Sequence, residues 1–536
     1  MGSAAGEVTL LKADADYFAS RRDFEDLSAC TDADLKTRLR VAQENFQFGK
    51  KHATEIDPTL LGMINLDIRM IRAELNRRRF ITRNKPKAPI VMDDTFRPTD
   101  LWTSTLFANQ HREHAHWCPQ LGWLLWTGTT WQRDEAGDVM KLAAETVRSV
   151  YQRAAKTDNS EQRQAIAQHA RKIEAAGRLQ AMISLAQHQL AIRADELDKD
   201  PWQFNVQNGT INLRTGELKE HSRSDYITKL SPVEFDPQAP CTVWYKFLQR
   251  IFNDDPDLIF YIQKIAGYCL TANTQEQEFY LLHGLGANGK STFVKTLLRV
   301  MGDYGKQSPV ETFLVKKNSG IPNDVARLHG ARLVAAMESE ANEKLAESLV
   351  KALTGGDKIA ARFLHREFFE FEATFKLILS TNHKPCIVGT DVAMWRRVRL
   401  IPFSVSIPKE DQDKQLPTKL ETELPGILRW AVEGCLLWQK EGLEPPTAVT
   451  GASQSYRDDM DTLGEFLDAR CEKEPGATVS TKDLYAAYVD WSESQKDRER
   501  DRLKRVTFGH KLAERGFDSG RNWQGRFWRG LRLVGT

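Results

Sequence analysis

Paired cysteines are missing from this chain. Seven cysteines are scattered over 536 residues, at 30, 118, 241, 269, 386, 435 and 471, and no two stand as CxxC. That spacing argues against a zinc ribbon or a disulfide scaffold and fits a reducing compartment. Long apolar runs are missing too. None approaches the roughly 20 residues of a membrane span, so no membrane partner is expected. The N-terminus lacks the charged-then-apolar order of a secretory signal, which makes secretion an unexpected fate. Excess charge is a third absence: 75 Lys and Arg stand against 73 Asp and Glu, a net of +2. A total so close to zero is silent about a polyanionic partner; what matters is where the basic residues sit. What remains is a globular composition, 41% hydrophobic, which excludes a disordered or collagen-like chain. The length predicts roughly three to five domains, and there is no internal repeat or long low-complexity tract.

Residues 1–83 read as a helical N-terminal region. Asp32 is placed to cap a helix running to about Lys50, and Asp57-Pro58 opens a second. In the second, Leu60, Leu61, Ile64, Ile68, Ile71 and Leu75 recur close to helical spacing. Its end is basic, with Arg69, Arg72, Arg77, Arg78, Arg79 and Arg83. This suits a solvated end favoured by the macrodipole, or a face for nucleic acid or a partner. Asp14-Ala15-Asp16 has the look of a metal-binding pair, but no catalytic sheet can be built around it, and it reads as a surface or capping feature. Residues 84–98 carry three prolines and read as a linker.

A small α+β domain is expected over 99–240. Trp117, Trp123, Trp126 and Trp131 lie in short apolar runs that predict strands and a hairpin near Leu121–Arg133. Residues 138–196 return to helical composition. From Trp202, Asn208-Gly209 and Thr215-Gly216 punctuate a β-meander. His111, His114, His116 and Cys118 are spaced closely enough to suggest a metal, but no second ligand pair stands at finger-like spacing, so a polar interdomain surface is expected instead. A helical collar is predicted over 241–275, an α/β core over 276–410, a helical segment over 411–474, and two helices with a strand-rich tail over 475–536.

The strongest signal is Gly284-Leu-Gly-Ala-Asn-Gly-Lys-Ser291, which matches G-x-x-x-x-G-K-[ST] without departure. A buried-strand run, Phe279 to His283, precedes it and a helical run follows, as the motif requires. Glycines let backbone N–H groups approach phosphates, and the helix N-terminus adds partial positive charge. Gly284, Gly286, Asn288, Gly289, Lys290, Ser291 and Thr292 are the candidate nucleotide-binding residues. Lys290 supplies a point charge at the β/γ-phosphates, and the Ser291 hydroxyl is a candidate Mg²⁺ ligand. ATP and Mg²⁺ are the expected cofactors.

Three weaker signals follow in order. An apolar strand beginning near Arg332 ends in carboxylates, with Glu338 the first candidate for holding Mg²⁺ and polarising water, and Glu340 its helper. A second apolar strand from Phe375 ends in Ser-Thr-Asn, where Asn382 is placed to orient water or touch the γ-phosphate. Then Trp395-Arg396-Arg397 offers an arginine finger to a neighbouring subunit, from one of Arg396 or Arg397. Alone, each has an ordinary structural reading; in this order, within about 115 residues, they predict a compact parallel-sheet NTPase core. A GTPase would carry an Asn-Lys-x-Asp base-reading motif, which the chain lacks.

These residues are recognisable together. GLGANGKSTF, GARLVAAMESE, KALTGGDKIAARFLHREFFEFEATFKLILSTNHKP and MWRRVRLIPF resemble superfamily 3 helicases. The likeness is to the C-terminal helicase half of phage and plasmid primase–helicases and their poxvirus relatives, and it covers roughly residues 100–470. It implies an AAA+-type, ring-forming, usually hexameric DNA helicase that tracks single strands 3′→5′. It also implies a pore hairpin gripping DNA between Lys351 and Arg366, with Lys351, Lys358, Arg362, His365 and Arg366 as DNA contacts and Gly355-Gly356 as a turn. Two departures stand out. About 100 residues precede the family region, so a helicase without its own primase, or a fragment, is expected. Ser339 separates Glu338 from Glu340, where some relatives have adjacent acids.

From Ser492 to the end, 12 Lys and Arg stand against 6 Asp and Glu. Thr507 is placed to cap a helix ended by Gly516, and a hairpin-like run then interleaves aromatics with Arg521, Arg526 and Arg529. Similar segments end many relatives as winged helices, which implies duplex DNA binding, with a protein-docking wing as the alternative. The reading is an ATP-driven replicative helicase of a phage, satellite or plasmid in a bacterial host's cytoplasm. Expected partners are single-stranded and forked DNA, possible origin duplex, further copies of the chain, and a separate primase or polymerase. The alternative is an origin-binding initiator ATPase that melts or marks DNA without processive unwinding.

Overall fold

The computed structural model describes residues 31–51, Ile64, Ile68, Ile71, Arg72, Leu75, and 95–534 apart from 316–322, 338–342, 364–366, 388, 390–391, 495–501 and 524. The chain divides into two compact units, Met1–Thr95 and Phe96–Thr536. In the first, α1 (Asp32–Lys51) is capped by Thr31 and not by Asp32. The Thr31 hydroxyl accepts from the Asp34 amide at 3.2 Å while the Asp34 carboxylate accepts from the Thr31 amide at 3.1 Å. This reciprocal box needs the hydroxyl one residue earlier. Leu35 gathers with Ile71 and Leu75, and Ala42 with Ile64 and Ile68, so these apolar positions form a buried face. Asp14-Ala15-Asp16, Asp57-Pro58, Leu60, Leu61 and the basic set other than Arg72 lie outside the described residues.

The second unit opens with α2 (Asp100–His111), capped by Thr99, whose hydroxyl accepts from the Trp102 amide. The tryptophan-rich stretch forms a three-stranded antiparallel sheet of β1 (Ala115–Cys118), β2 (Gly122–Trp126) and β3 (Trp131–Arg133). Helices α3 (Val139–Ala155), α4 (Ser160–Ile173) and α5 (Ala176–Ala186) follow. The meander is β4 (Gln203–Val206), β5 (Gly209–Asn212) and β6 (Glu217–Lys219), turning at Asn208-Gly209 as its sequence predicts. The collar is α6 (Thr242–Ile251) and α7 (Pro256–Leu270).

The α/β core is a five-stranded, all-parallel sheet. Its strands are β7 (Phe279–His283), β8 (Gly305–Ser308), β9 (Leu333–Met337), β12 (Lys376–Thr381) and β13 (Val398–Pro402), with a separate antiparallel hairpin of β10 (Lys358–Ala361) and β11 (Phe369–Glu372). The order β13-β7-β12-β9-β8 seats β7 between β12 and β13. Leu282 pairs with Ser380 and Ser380 with Met337, so the C-terminal ends of β7, β12 and β9 lie level. Near-continuous apolar runs suit strands covered on both faces. One face carries α6, α7, α8 (Lys290–Met301) and α10 (Leu424–Glu441), with Trp244 stacked on Phe293 at 5.7 Å. The other carries α9 (Glu347–Gly355) and α11 (Thr447–Asp459).

At the N-terminal ends of these strands, two buried basic side chains tie the α/β core to the collar and meander. Arg332 donates to the Leu270 carbonyl at 2.6 Å and the Gln203 carbonyl at 2.7 Å, and lies over the Tyr304 ring. Lys376 donates to the carbonyls of Thr271 at 2.5 Å and Asn273 at 3.1 Å, under the Tyr268 ring.

The C-terminal segment is α12 (Thr462–Arg470), β14 (Cys471–Ser480), α13 (Thr481–Ser494), α14 (Arg505–Glu514), β15 (Ser519–Asn522) and β16 (Gly525–Leu533), with sheet order β14-β16-β15. These helices and this sheet pack around a core of Phe466, Tyr488, Trp491, Phe508 and Trp528. Helix α14 starts after the extended Lys504, so Thr507 lies inside it and does not cap it. Among the described residues no helix is long and apolar enough to cross a membrane.

Helices α7 and α10 meet through glycine. A Cβ on Gly267 would collide with backbone at Gly434 and Cys435, and one on Gly434 with the Gln263 carbonyl. Gly434→Ala is therefore expected to lower the thermal midpoint and cost about 3 kcal/mol, as overpacking does. Gly451, exposed on α11 with nothing within 4 Å of an added Cβ, is the control. Gly451→Ala should raise stability by up to about 1 kcal/mol, read by the same denaturation.

Candidate functional site

The loop after β7 runs from Gly284 to Gly289 and turns through left-handed backbone at Gly286, Ala287 and Gly289, with φ of 54°, 49° and 83°. Gly289 is held from below by the collar: a Cβ there would come within 2.6 Å of Ile251 and 3.0 Å of Phe247, both on α6. Gly284 packs on the Phe403 carbonyl beyond β13. The Asn288 side-chain amide donates to that same carbonyl at 3.3 Å, and the Ile407 amide donates to the Ala287 carbonyl at 2.8 Å. The loop is thus preset by contacts on two sides.

Lys290, first residue of α8, is buried. Its ammonium donates to the Gly284 carbonyl at 2.5 Å, Asn288 Oδ1 at 3.2 Å and Asn382 Oδ1 at 3.0 Å. Burial lowers its pKa, while the three oxygens favour the charged form. A phosphate oxygen competes well for this ammonium, because charge-assisted hydrogen bonds are about twice as strong as neutral ones. His283, at the end of β7, is lowered by burial and then by Lys384 and Lys290, which favours the neutral ring.

These groups wall an open cavity of about 270 Å³, lined also by Gly286, Ser291, Thr292, Met337, Ser380 and Thr381. Three strand ends therefore meet at one point, which explains why weak signals far apart in sequence belong together. Ser291 is exposed on the first turn of α8. Glu338 and Glu340 lie outside the described residues; the strand leading into them ends at Met337, in the cavity wall.

The two arginines part company. Arg397 is buried, and its guanidinium donates to Thr354 Oγ1 at 3.2 Å and to the Ala393 carbonyl at 2.5 Å. The sequence leaves the finger open between the two and puts Arg397 forward as the one whose loss blocks hydrolysis; here the Arg397 guanidinium is engaged within its own chain, at the end of α9. Arg396 is exposed and donates to Gln277 Oε1 at 2.9 Å. Gln277 in turn donates to the Gly355 carbonyl at 3.5 Å from left-handed backbone at φ 56°. Sequence reasoning missed Gln277, for which no motif signals. Both arginines precede β13, whose first residue pairs with Phe279 at the start of β7. A five-residue strand separates them from the phosphate loop, about 13 Å or more.

The presumed pore segment is also rearranged. Gly355 ends α9, and Gly356 (φ 81°) is its left-handed cap, so Gly-Gly is not the turn of the hairpin. Lys351 lies on α9, half-buried, and Lys358 is exposed at the first position of β10, opposite Glu372. Arg362 stands at the far end, its guanidinium 4.7 Å from the Phe368 ring centroid. His365 and Arg366 lie outside the described residues. Phe363 and Phe368 are 39% and 60% exposed beside them. They were missed, although the run of Phe, Arg and His from 362 to 369 carries the signal of an aromatic–basic tip.

In the C-terminal segment, Arg521 and Arg526 are exposed and directly opposite each other, and Arg529 lies over the Phe527 ring at 5.7 Å. The histidine run is dispersed. His111 bonds Thr146 Oγ1 at 3.0 Å, and His116 bonds the Leu190 carbonyl at 3.3 Å. His111 and His114 line one small cavity with Glu145, and among the described residues no three His, Cys, Asp or Glu are placed to hold a metal ion.

Comparison with known proteins follows this geometry. Residues 104–253 match the family described as D5 N terminal like, and residues 282–397 match a family of unknown function, DUF5906. A protein of Acanthamoeba polyphaga mimivirus named "putative helicase" is 26% identical over 322 residues, 56% of this chain and 34% of that protein. One of Frog virus 3, named likewise, is 27% identical over 278 residues, 48% of this chain and 28% of its own length. A third, of Invertebrate iridescent virus 3, is 26% identical over 335 residues, 56% and 36% respectively. The chain thus spans about a third of the length of these relatives. The solved NrS-1 C-terminal region aligns with 57% of this chain and 78% of that one at 12% identity and a TM-score of 0.35, too loose a likeness to carry an argument. The resemblance drawn from the motifs is met at this level: one segment of the chain matches the D5 N terminal like family, a second matches DUF5906, and the chain is similar to viral proteins named as helicases.

Proposed function

We propose that the chain is an ATP-driven DNA helicase motor that acts between copies of itself in a ring. One observation carries this reading. Lys290, Asn288 and Asn382 converge at the level ends of β7, β9 and β12, while exposed Arg396 stands at the opposite edge of the same sheet. An arginine so far from its own phosphate loop serves hydrolysis only in a neighbour's site. Lys290 and the loop amides would bind the phosphates. Ser291 and Glu338 would hold Mg²⁺, with Glu340 assisting, and Asn382 would orient the attacking water. The ion would neutralise charge on the phosphates. Arg362 with Phe363 and Phe368, and with His365 and Arg366, would form the strand-gripping tip, with Lys351 and Lys358 toward its base. The 3′→5′ polarity and a hexameric ring come from the motif resemblance, as do a viral or mobile-element origin and a separate primase or polymerase partner. The C-terminal segment, with Arg521, Arg526 and Arg529, would bind DNA beside the motor.

Lys290→Ala should abolish ATP turnover while leaving the circular dichroism spectrum unchanged. Arg396→Ala should keep nucleotide affinity and lose about 10³-fold in turnover. Arg397→Ala should instead cost about 2 kcal/mol of stability, because it strips a buried hydroxyl and a carbonyl of their donor. Mixing the Lys290→Ala and Arg396→Ala proteins should restore turnover, since some interfaces then pair an intact lysine with an intact arginine; no recovery would overturn action between copies. ATP-dependent displacement of a long strand from a tailed fork is the expected unwinding result. Stable origin binding without displacement would favour the initiator alternative.

A further inference from the structure

The tip of the β15–β16 hairpin carries charges and an aromatic ring that the fold itself does not use. Trp523 sits at this tip and is 90% exposed. The other tryptophan of the hairpin, Trp528, is buried in the C-terminal core. Arg521 and Arg526 flank the tip as directly paired cross-strand residues. Like charges directly opposite on a sheet destabilise it. Further along β16, Arg532 is neutralised by Glu472 and Glu474. Among the described residues Arg521 and Arg526 have no such carboxylate. The sheet thus neutralises its inner arginine and leaves the tip pair uncompensated around a solvent-facing indole.

We propose that this tip is a stacking site for a nucleic-acid base, with Trp523 covering the base face and Arg521 and Arg526 holding the phosphates on either side. The two features select one ligand class. A cation pair alone suits any polyanion, but an exposed π-face between the cations needs a partner that offers a flat ring within a phosphate backbone. Duplex DNA hides its base faces except at an end or where the strands part. The preferred ligand is therefore a single strand or a fork junction, not an uninterrupted duplex. This deepens the DNA reading of the C-terminal segment and is independent of ATP hydrolysis.

The test uses the full chain without nucleotide and three labelled probes, read by fluorescence anisotropy: a single strand, a fork, and a dumbbell duplex closed by non-nucleotide glycol linkers, with neither free ends nor unpaired bases. Trp523→Ala should weaken binding to the strand and the fork about tenfold, the scale of one lost base stack, and leave the dumbbell unchanged. Trp523→Phe should recover most of the loss. Arg521→Ala combined with Arg526→Ala should weaken all three and flatten the salt dependence. Trp523 is exposed, so its variants should unfold at the wild-type temperature. Equal binding of all three probes by wild type and Trp523→Ala would overturn the proposal, leaving the tip to a protein partner, and so would an equal loss on the dumbbell. A chain that binds none of the probes would overturn the DNA reading as well, so the two failures are distinguishable.

Discussion

The architecture depends on two basic side chains kept out of water. Arg332 leads into β9 and Lys376 begins β12, and the Lys376 amide donates to the Arg332 carbonyl at 2.9 Å. Neither cation leans on a carboxylate for its bonds. Their acceptors are main-chain carbonyls of Gln203, Leu270, Thr271 and Asn273, together with the faces of Tyr304 and Tyr268. Burial pushes Lys376 down to about 7 and Arg332 below its usual range. A buried charge is tolerable only when its hydrogen bonds are met. The closed parallel sheet therefore relies on the meander and the collar for these acceptors. This joins the preceding segment to the α/β core more firmly than a linker would, since the two share buried hydrogen bonds.

The same docking presets the phosphate loop. Helix α6 presses on Gly289 through Ile251 and Phe247, and Trp244 of that helix stacks on Phe293 of α8. The level strand ends then bring Asn382 to Lys290. All strands of the sheet run one way, so its two edges are chemically unlike. One gathers phosphate-binding groups, and the other gathers Arg396, Gln277 and the root of the hairpin. Gln277 bonds both Arg396 and the last carbonyl of α9, so the arginine and the hairpin root share one anchor.

Much of this was legible because the relevant patterns are local. A glycine loop between an apolar strand and a helix has one sensible conformation, and Asn-Gly between alternating residues has one sensible turn. The strands, the meander and the collar followed from such patterns. What escaped depended on neighbours distant in sequence. Arg396 and Arg397 are chemically identical, and only the packing of α9 decides which one is buried. Gly355-Gly356 reads equally as a hairpin turn or a helix cap, and the hydrogen bonds of α9 choose the cap. Thr31 outcompeted Asp32 because the capping box needs Asp34 to reach back. Nothing local distinguishes Trp523 from Trp528; strand alternation and a core assembled from α12, α13 and α14 bury one and leave the other at a tip.

The glycine contact between α7 and α10 has a mechanical meaning. Helices separated by side chains can slip past each other, because rotamers adjust as ridges change grooves. Here backbone rests on backbone at Gly267 and Gly434, and no side chain stands between them to adjust. Such a joint leaves a side chain no room to adjust, so bulk added at either glycine has to be absorbed by displacing a whole helix.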